Sequence, residues 1–205
     1  MTTTAPVTSL ADLDPNGTYS YADYVSWRFQ ELVELVRGKV LRRMSAPTDL
    51  HQAVVGELFF GLKNYLRRQP CQVRIAPYDV RLPQPGRTAD ETIYTVVQPD
   101  ICVICDPAKI ESRGCLGAPD LIVEVLSPGT AARDWKDKFD LYEEAGVGEY
   151  WIVAPLEQDI SVFVRDAATG RYRLAGEYSQ PGPVPSPTLT GLGLEWGEVF
   201  PAPVR

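Results

Sequence analysis

The stretch APDLIVEVLSPGT, residues 118–130, places Glu124 inside an unbroken aliphatic run. Such a run, closed by Ser-Pro-Gly, reads as a buried strand over residues 119–126. Burying a lone carboxylate is costly, so Glu124 must be paired, neutralised or bound to a metal. Working outward, PGTAARDWKDKFDLYEEAGVG reads as a helix from about Thr130 to a stop at Ala145–Gly146. EYWIVAP, from residue 149, is the next strand. A helix of that length between two strands is a crossover that leaves them parallel.

On the other side, VVQPDICVIC is a strand that a polar loop joins to residues 119–126. An antiparallel pairing puts Asp100, at the start of one strand, beside Glu124, at the end of the other. The same pairing sends Asp120 to the far end, near Cys105. Upstream, Leu50, Val54, Leu58, Leu62 and Leu66 form one stripe of a helix that Pro70 stops. Earlier still, Ser20 and Asp23 have capping-box spacing, and LVELVRGKVLRRM reads as a hairpin turning at Arg37–Gly38. Residues 159–178 form a further hairpin, and the Pro/Gly-rich end of the chain is irregular. The fold class is α/β, a mixed central sheet with flanking helices. Residues 1–18 read as a poorly ordered tail and 19–205 as one domain, its core at about 49–165.

Two adjacent carboxylates repel, and Mg²⁺ or Mn²⁺ is a usual remedy because oxygen ligands suit a hard cation. The simpler alternative pairs Glu124 with an arginine. At about 100° per residue, Lys138 lies on the helix face that carries Trp135, Phe139 and Tyr142. It either reaches the carboxylates or lays its stem over the aromatics with its head in water. Asp134, one turn before, is a candidate partner. With Asp100 and Glu124 placed, the first reading is preferred. Asp, Glu and Lys around a metal suit phosphodiester hydrolysis.

The segments QPDICVI, GAPDLIVEVLSPGT, D-x-x-x-K and Y-x-x-x-GVGEYWIVAP closely resemble the Uma-two family, a restriction-endonuclease-like branch of the PD-(D/E)XK nuclease superfamily. ELVRGKVLRRMSAPTDLHQAVVGEL resembles the family's N-terminal hairpin and first helix, so the likeness covers roughly residues 19–200. The resemblance implies an αβββαβ nuclease core preceded by a helix and hairpin, with Asp100 as the PD aspartate and Glu124 as the (D/E). By the same resemblance the lysine of a standard E-x-K would fall at Leu126, and Lys138 would be its migrated replacement. The implied activity is Mg²⁺-dependent (or Mn²⁺-dependent) endonuclease cleavage of nucleic acid, with DNA the expected substrate. The alternative is a nuclease-fold module that binds a partner without catalysis.

His51 is the single histidine, at the start of the long helix. It is either a site residue, as the family's PxxxH region suggests, or a surface cap. Glu34 of the hairpin and Glu57 of the long helix are further candidates, although a solvated strand glutamate is the commoner reading of Glu34. Cys102-x-x-Cys105 with Cys115 invites a zinc reading, but an odd spacing in a strand turns the two thiols to opposite faces. Reduced, buried cysteines are expected of all four.

The net charge of −7 is uneven. Residues 1–90 hold 11 Lys/Arg against 9 Asp/Glu, and residues 91–205 hold 9 against 18. A polyanion is therefore expected to approach the N-terminal half. No apolar run is long enough for a membrane span, and no secretory signal opens the chain. A cytoplasmic location follows as the expectation. A homodimer is expected from the edge hairpins, the YWIV strand and the apolar end of the chain.

Overall fold

A computed structural model describes residues 6–42, 47–127 and 131–200, with the side chains of residues 131–135 outside that description. Helix α1 (Tyr21–Ser26) begins where the sequence places it. The Ser20 hydroxyl accepts the Asp23 amide while the Asp23 carboxylate accepts the Ser20 amide. Strands β1 (Val33–Val36) and β2 (Lys39–Arg42) form the expected hairpin. Its turn needs positive φ at Arg37 (52°) and Gly38 (80°), and a Cβ at residue 38 would also meet the Thr18 methyl at 2.6 Å.

Helix α2 (Asp49–Leu66) starts at the cap Thr48, whose side chain accepts the His51 amide. Its buried stripe is headed by His51 rather than by Leu50, which is exposed. His51 sits three, four and seven residues before Val54, Val55 and Leu58, the helical spacing of one face.

Strands β3 (Gln72–Ile75), β4 (Val80–Arg81), β5 (Val96–Val97) and β6 (Ile101–Ile104) follow. After them come β7 (Ile110–Glu111), β8 (Gly114–Leu116) and β9 (Leu121–Val125). Helix α3 (Ala131–Ala145) leads to β10 (Glu149–Ala154), β11 (Asp159–Arg165), β12 (Tyr172–Tyr178) and the short α4 (Trp196–Val199).

The α/β class with mixed strands stands, but the strands divide between two sheets. Their orders are β2-β1-β5-β4-β8-β7 and β12-β11-β10-β9-β6-β3. Only β4/β8 and β9/β10 are parallel among the described pairs. The cause lies in two segments that read as single strands. QVRIAPYDVRL breaks at Ala76–Asp79 between β3 and β4, and VVQPDI breaks at Gln98–Asp100 between β5 and β6. A proline stands in each break and removes a ladder donor. Both chains change sheet at the same level, where the Ala76 amide donates to the Asp100 carbonyl at 3.0 Å. Asp100 therefore sits at the corner between the sheets.

One core packs α2 on the second sheet through Val54, Leu58, Leu62, Ile101, Val123 and Trp151. Another packs α3 through Leu141 and Tyr142 on Ile122, Tyr150 and Ile152. Residues 6–18, expected as a tail, contribute Val7, Leu10 and Leu13 to a third cluster around Tyr21, Trp27 and Leu35.

Two supports for self-association are overturned. The YWIV strand, β10, is interior and paired on both edges. The irregular C-terminal stretch buries Val184, Leu189, Leu194 and Phe200 in the α2 core. Glu149 holds that stretch in place. Fully buried, it accepts Trp151 Nε1, the Ser186 hydroxyl and the Thr188 amide. Glu149→Ala strands these donors and is expected to cost about 3 kcal/mol or more in urea unfolding. A loss below ~1 kcal/mol would show that the clamp carries no weight.

The expectation of four reduced thiols is also corrected. Cys71 and Cys105 form a disulfide across the ends of β3 and β6, where the antiparallel register sets them opposite one another. Cys102 and Cys115 remain free thiols, buried, and burial pushes both pKa values up. Among the described residues, no helix is long and apolar enough to cross a membrane.

Candidate functional site

The site forms where the corner between the sheets meets the end of β9. Strand β6 pairs antiparallel with β9 through Ile101↔Val123, so the next step along the ladder opposes Asp100 to Glu124. Asp100 Oδ2 accepts the Val125 amide at 2.9 Å, which ties its carboxylate to the β9 backbone. Asp120 lies at the opposite end, accepting the Cys105 amide through Oδ2.

Helix α3 crosses the second sheet with Lys138 and Tyr142, one turn apart, on its inner face. Lys138 Nζ lies 2.8 Å from Glu124 Oε1 and 3.6 Å from Glu34 Oε2. Its side chain is 19% exposed, so the ammonium is held inside rather than extended into water. Asp134, the other candidate partner of Lys138, has its side chain outside the described residues. The Tyr142 hydroxyl donates to the same Glu124 oxygen at 2.7 Å.

Glu34 arrives from β1 in the other sheet. It is buried, not solvated, because its strand faces the corner. Its Oε1 accepts the Gln98 amide at 2.7 Å. Gln98 is itself held by its side chain, whose Nε2 donates to Asp79 Oδ1 at 2.8 Å. His51 is buried as well, with Nε2 3.3 Å from Asp100 Oδ2, which removes the surface-cap reading. Glu57 does not join the group; it is exposed on the outer face of α2.

Burial raises the pKa of Glu124; Lys138 opposes that shift, while Asp100 and Glu34 add to it. For Lys138, burial works against the charge, but Glu124 and then Glu34 and Asp100 outweigh it, so its pKa is raised. Burial, reinforced by the charge of Glu124, holds Tyr142 well above the ordinary phenol value. The result is a secure cation beside a carboxylate pair that gains from added positive charge.

Among the described residues, no group of three or more His, Cys, Asp or Glu side chains is arranged to hold a metal ion by itself. The zinc reading of the cysteines falls on the disulfide, which takes Cys105 out of the Cys102-x-x-Cys105 pair. Mg²⁺ needs fewer protein ligands, binding through one or two carboxylates and keeping several waters or phosphate oxygens. Asp100 and Glu124 supply that donor chemistry.

Tyr142 and Gln98 escaped the sequence reading as site residues. The sequence puts Tyr142 on the packed face of α3, and its position four residues after Lys138 is the signal it offers. Gln98 acts through its backbone amide, which no side-chain pattern reveals.

The model of the Uma2 family, described as a putative restriction endonuclease, matches residues 22–197. An uncharacterized protein of Synechocystis sp. is 27% identical over 144 residues, covering 69% of this chain and 71% of that one. A crystal structure of a putative nuclease belonging to DUF820, from Anabaena variabilis, aligns with a TM-score of 0.67 at 19% identity. That alignment covers 89% of this chain and 97% of the other, and it shows a shared fold.

Proposed function

Because the chain belongs to the Uma2 family, described as a putative restriction endonuclease, we propose that it is a metal-dependent nuclease cleaving phosphodiester bonds of nucleic acid, with DNA the first substrate to test. The observation that carries this reading is the opposition of Asp100 and Glu124 across β6 and β9, with Lys138 on Glu124.

Asp100 and Glu124 are the residues that would hold Mg²⁺ or Mn²⁺. Such a cation supplies Lewis-acid polarisation of a phosphoryl oxygen and a bound water of lowered pKa. The chain's own residues do the rest. Lys138, whose raised pKa keeps it protonated, acts as a fixed positive charge against negative charge developing on the phosphate, not as a base. Glu34 shares the ammonium and holds it between the two sheets. His51 and the Val125 amide fix one oxygen of Asp100. The position of the usual E-x-K lysine is Leu126, so the cation comes from α3 instead of β9.

The test is incubation with plasmid DNA, single-stranded DNA and RNA, each with Mg²⁺, Mn²⁺ or EDTA. Cleavage of at least one polymer that requires the metal is the expected result. Binding without cleavage under all conditions would leave the noncatalytic module as the reading.

A further inference from the structure

We propose that Tyr142 is a positioning residue that orients the Glu124 carboxylate for cation binding, an inference that rests on the nuclease reading above. The Tyr142 hydroxyl and the Lys138 ammonium both donate to Glu124 Oε1, at 2.7 and 2.8 Å. The two donors come from one face of α3, one turn apart. A carboxylate gripped at one oxygen by two donors cannot turn freely about its last bond. Its other oxygen, Oε2, is then held in a set direction. Among the described residues, no hydrogen bond to Oε2 competes with a cation there.

Lys138 alone is a weaker guide. Its ammonium is shared with Glu34 at 3.6 Å, so it can follow either carboxylate. The Tyr142 hydroxyl has a single described partner, and its ring cannot swing away. The side chain is fully buried, with Tyr150 packed edge-on at a centroid distance of 5.1 Å.

Tyr150 supplies the control. Its hydroxyl is buried in the same aromatic cluster but has no hydrogen-bond partner among the described residues. Removing it changes the cluster by the same single atom and breaks no hydrogen bond to Glu124.

The experiment is calorimetric titration of Mn²⁺ into the full-length parent, Tyr142→Phe and Tyr150→Phe, each first checked for native circular dichroism. Tyr142→Phe is expected to weaken Mn²⁺ binding about 10-fold or more, the usual effect of losing a residue that orients a ligand. Tyr150→Phe should bind as the parent does. In cleavage assays, Tyr142→Phe should need more Mn²⁺ for half-maximal rate yet approach the parental kcat once Mn²⁺ saturates. A purely structural tyrosine would not produce that split. Parental Mn²⁺ affinity in Tyr142→Phe, or an equal loss in Tyr150→Phe, overturns the positioning role and leaves the nuclease reading standing. No Mn²⁺ binding by the parent overturns both.

Discussion

Lys138→Met is expected to lower cleavage by about 10²–10³-fold, the cost of removing one fixed donor from a developing oxyanion. Methionine keeps the aliphatic stem and deletes only the ammonium. The same variant should lose about 3–5 kcal/mol of stability near neutral pH, because it leaves Glu124 buried without its cation. That loss has a defined pH dependence. Burial already raises the folded pKa of Glu124, and removing Lys138 removes the first opposing influence. A carboxylate whose folded pKa lies above its unfolded value favours folding below the unfolded pKa, and that contribution is lost as pH rises through the folded pKa. The variant should therefore recover stability relative to the parent as pH falls. Urea unfolding at several pH values, beside single-turnover cleavage, checks both effects. A variant as stable and as active as the parent would return Lys138 to the role of a packed stem.

Asp100→Asn should reduce cleavage by more than the ~100-fold typical of losing a residue that merely orients a ligand. Asparagine keeps the shape and an oxygen for the Val125 amide but withdraws the charge that opposes Glu124. His51→Ala leaves that charge and removes the Nε2 contact to Asp100 Oδ2, so its loss should stay within about 10–100-fold. The two variants thus separate a ligand from its support. Single-turnover rates at saturating Mn²⁺ make the comparison, and a larger loss in His51→Ala than in Asp100→Asn would reverse the assignment.

The legible part of this site was the part that strand periodicity governs. The antiparallel placement of residues 99–105 against 119–126 follows from loop length and hydrophobic runs, and it selects Asp100 over Asp120. Lys138 was legible because helical spacing puts it on an apolar face. The division into two sheets was not, because a proline corner and a strand continuing past a proline look alike in one dimension. Glu34 could not be ranked for the same reason, since it lies in a four-residue strand whose buried face depends on that corner; His51 stands in the first turn of α2, where the sequence alone does not show that the corner covers the helix end. The burial of Glu149 is not legible in the sequence, since two of its three partners, Ser186 and Thr188, lie 37 and 39 residues away.

The central claim is that Asp100 and Glu124 together hold a divalent cation. It is tested most directly by calorimetric titration of Mn²⁺ into the parent, Glu124→Gln and Asp120→Asn. The parent should bind Mn²⁺, Glu124→Gln should lose that binding, and Asp120→Asn, at the opposite end of β9, should keep it. Binding kept by Glu124→Gln and lost by Asp120→Asn would contradict the site.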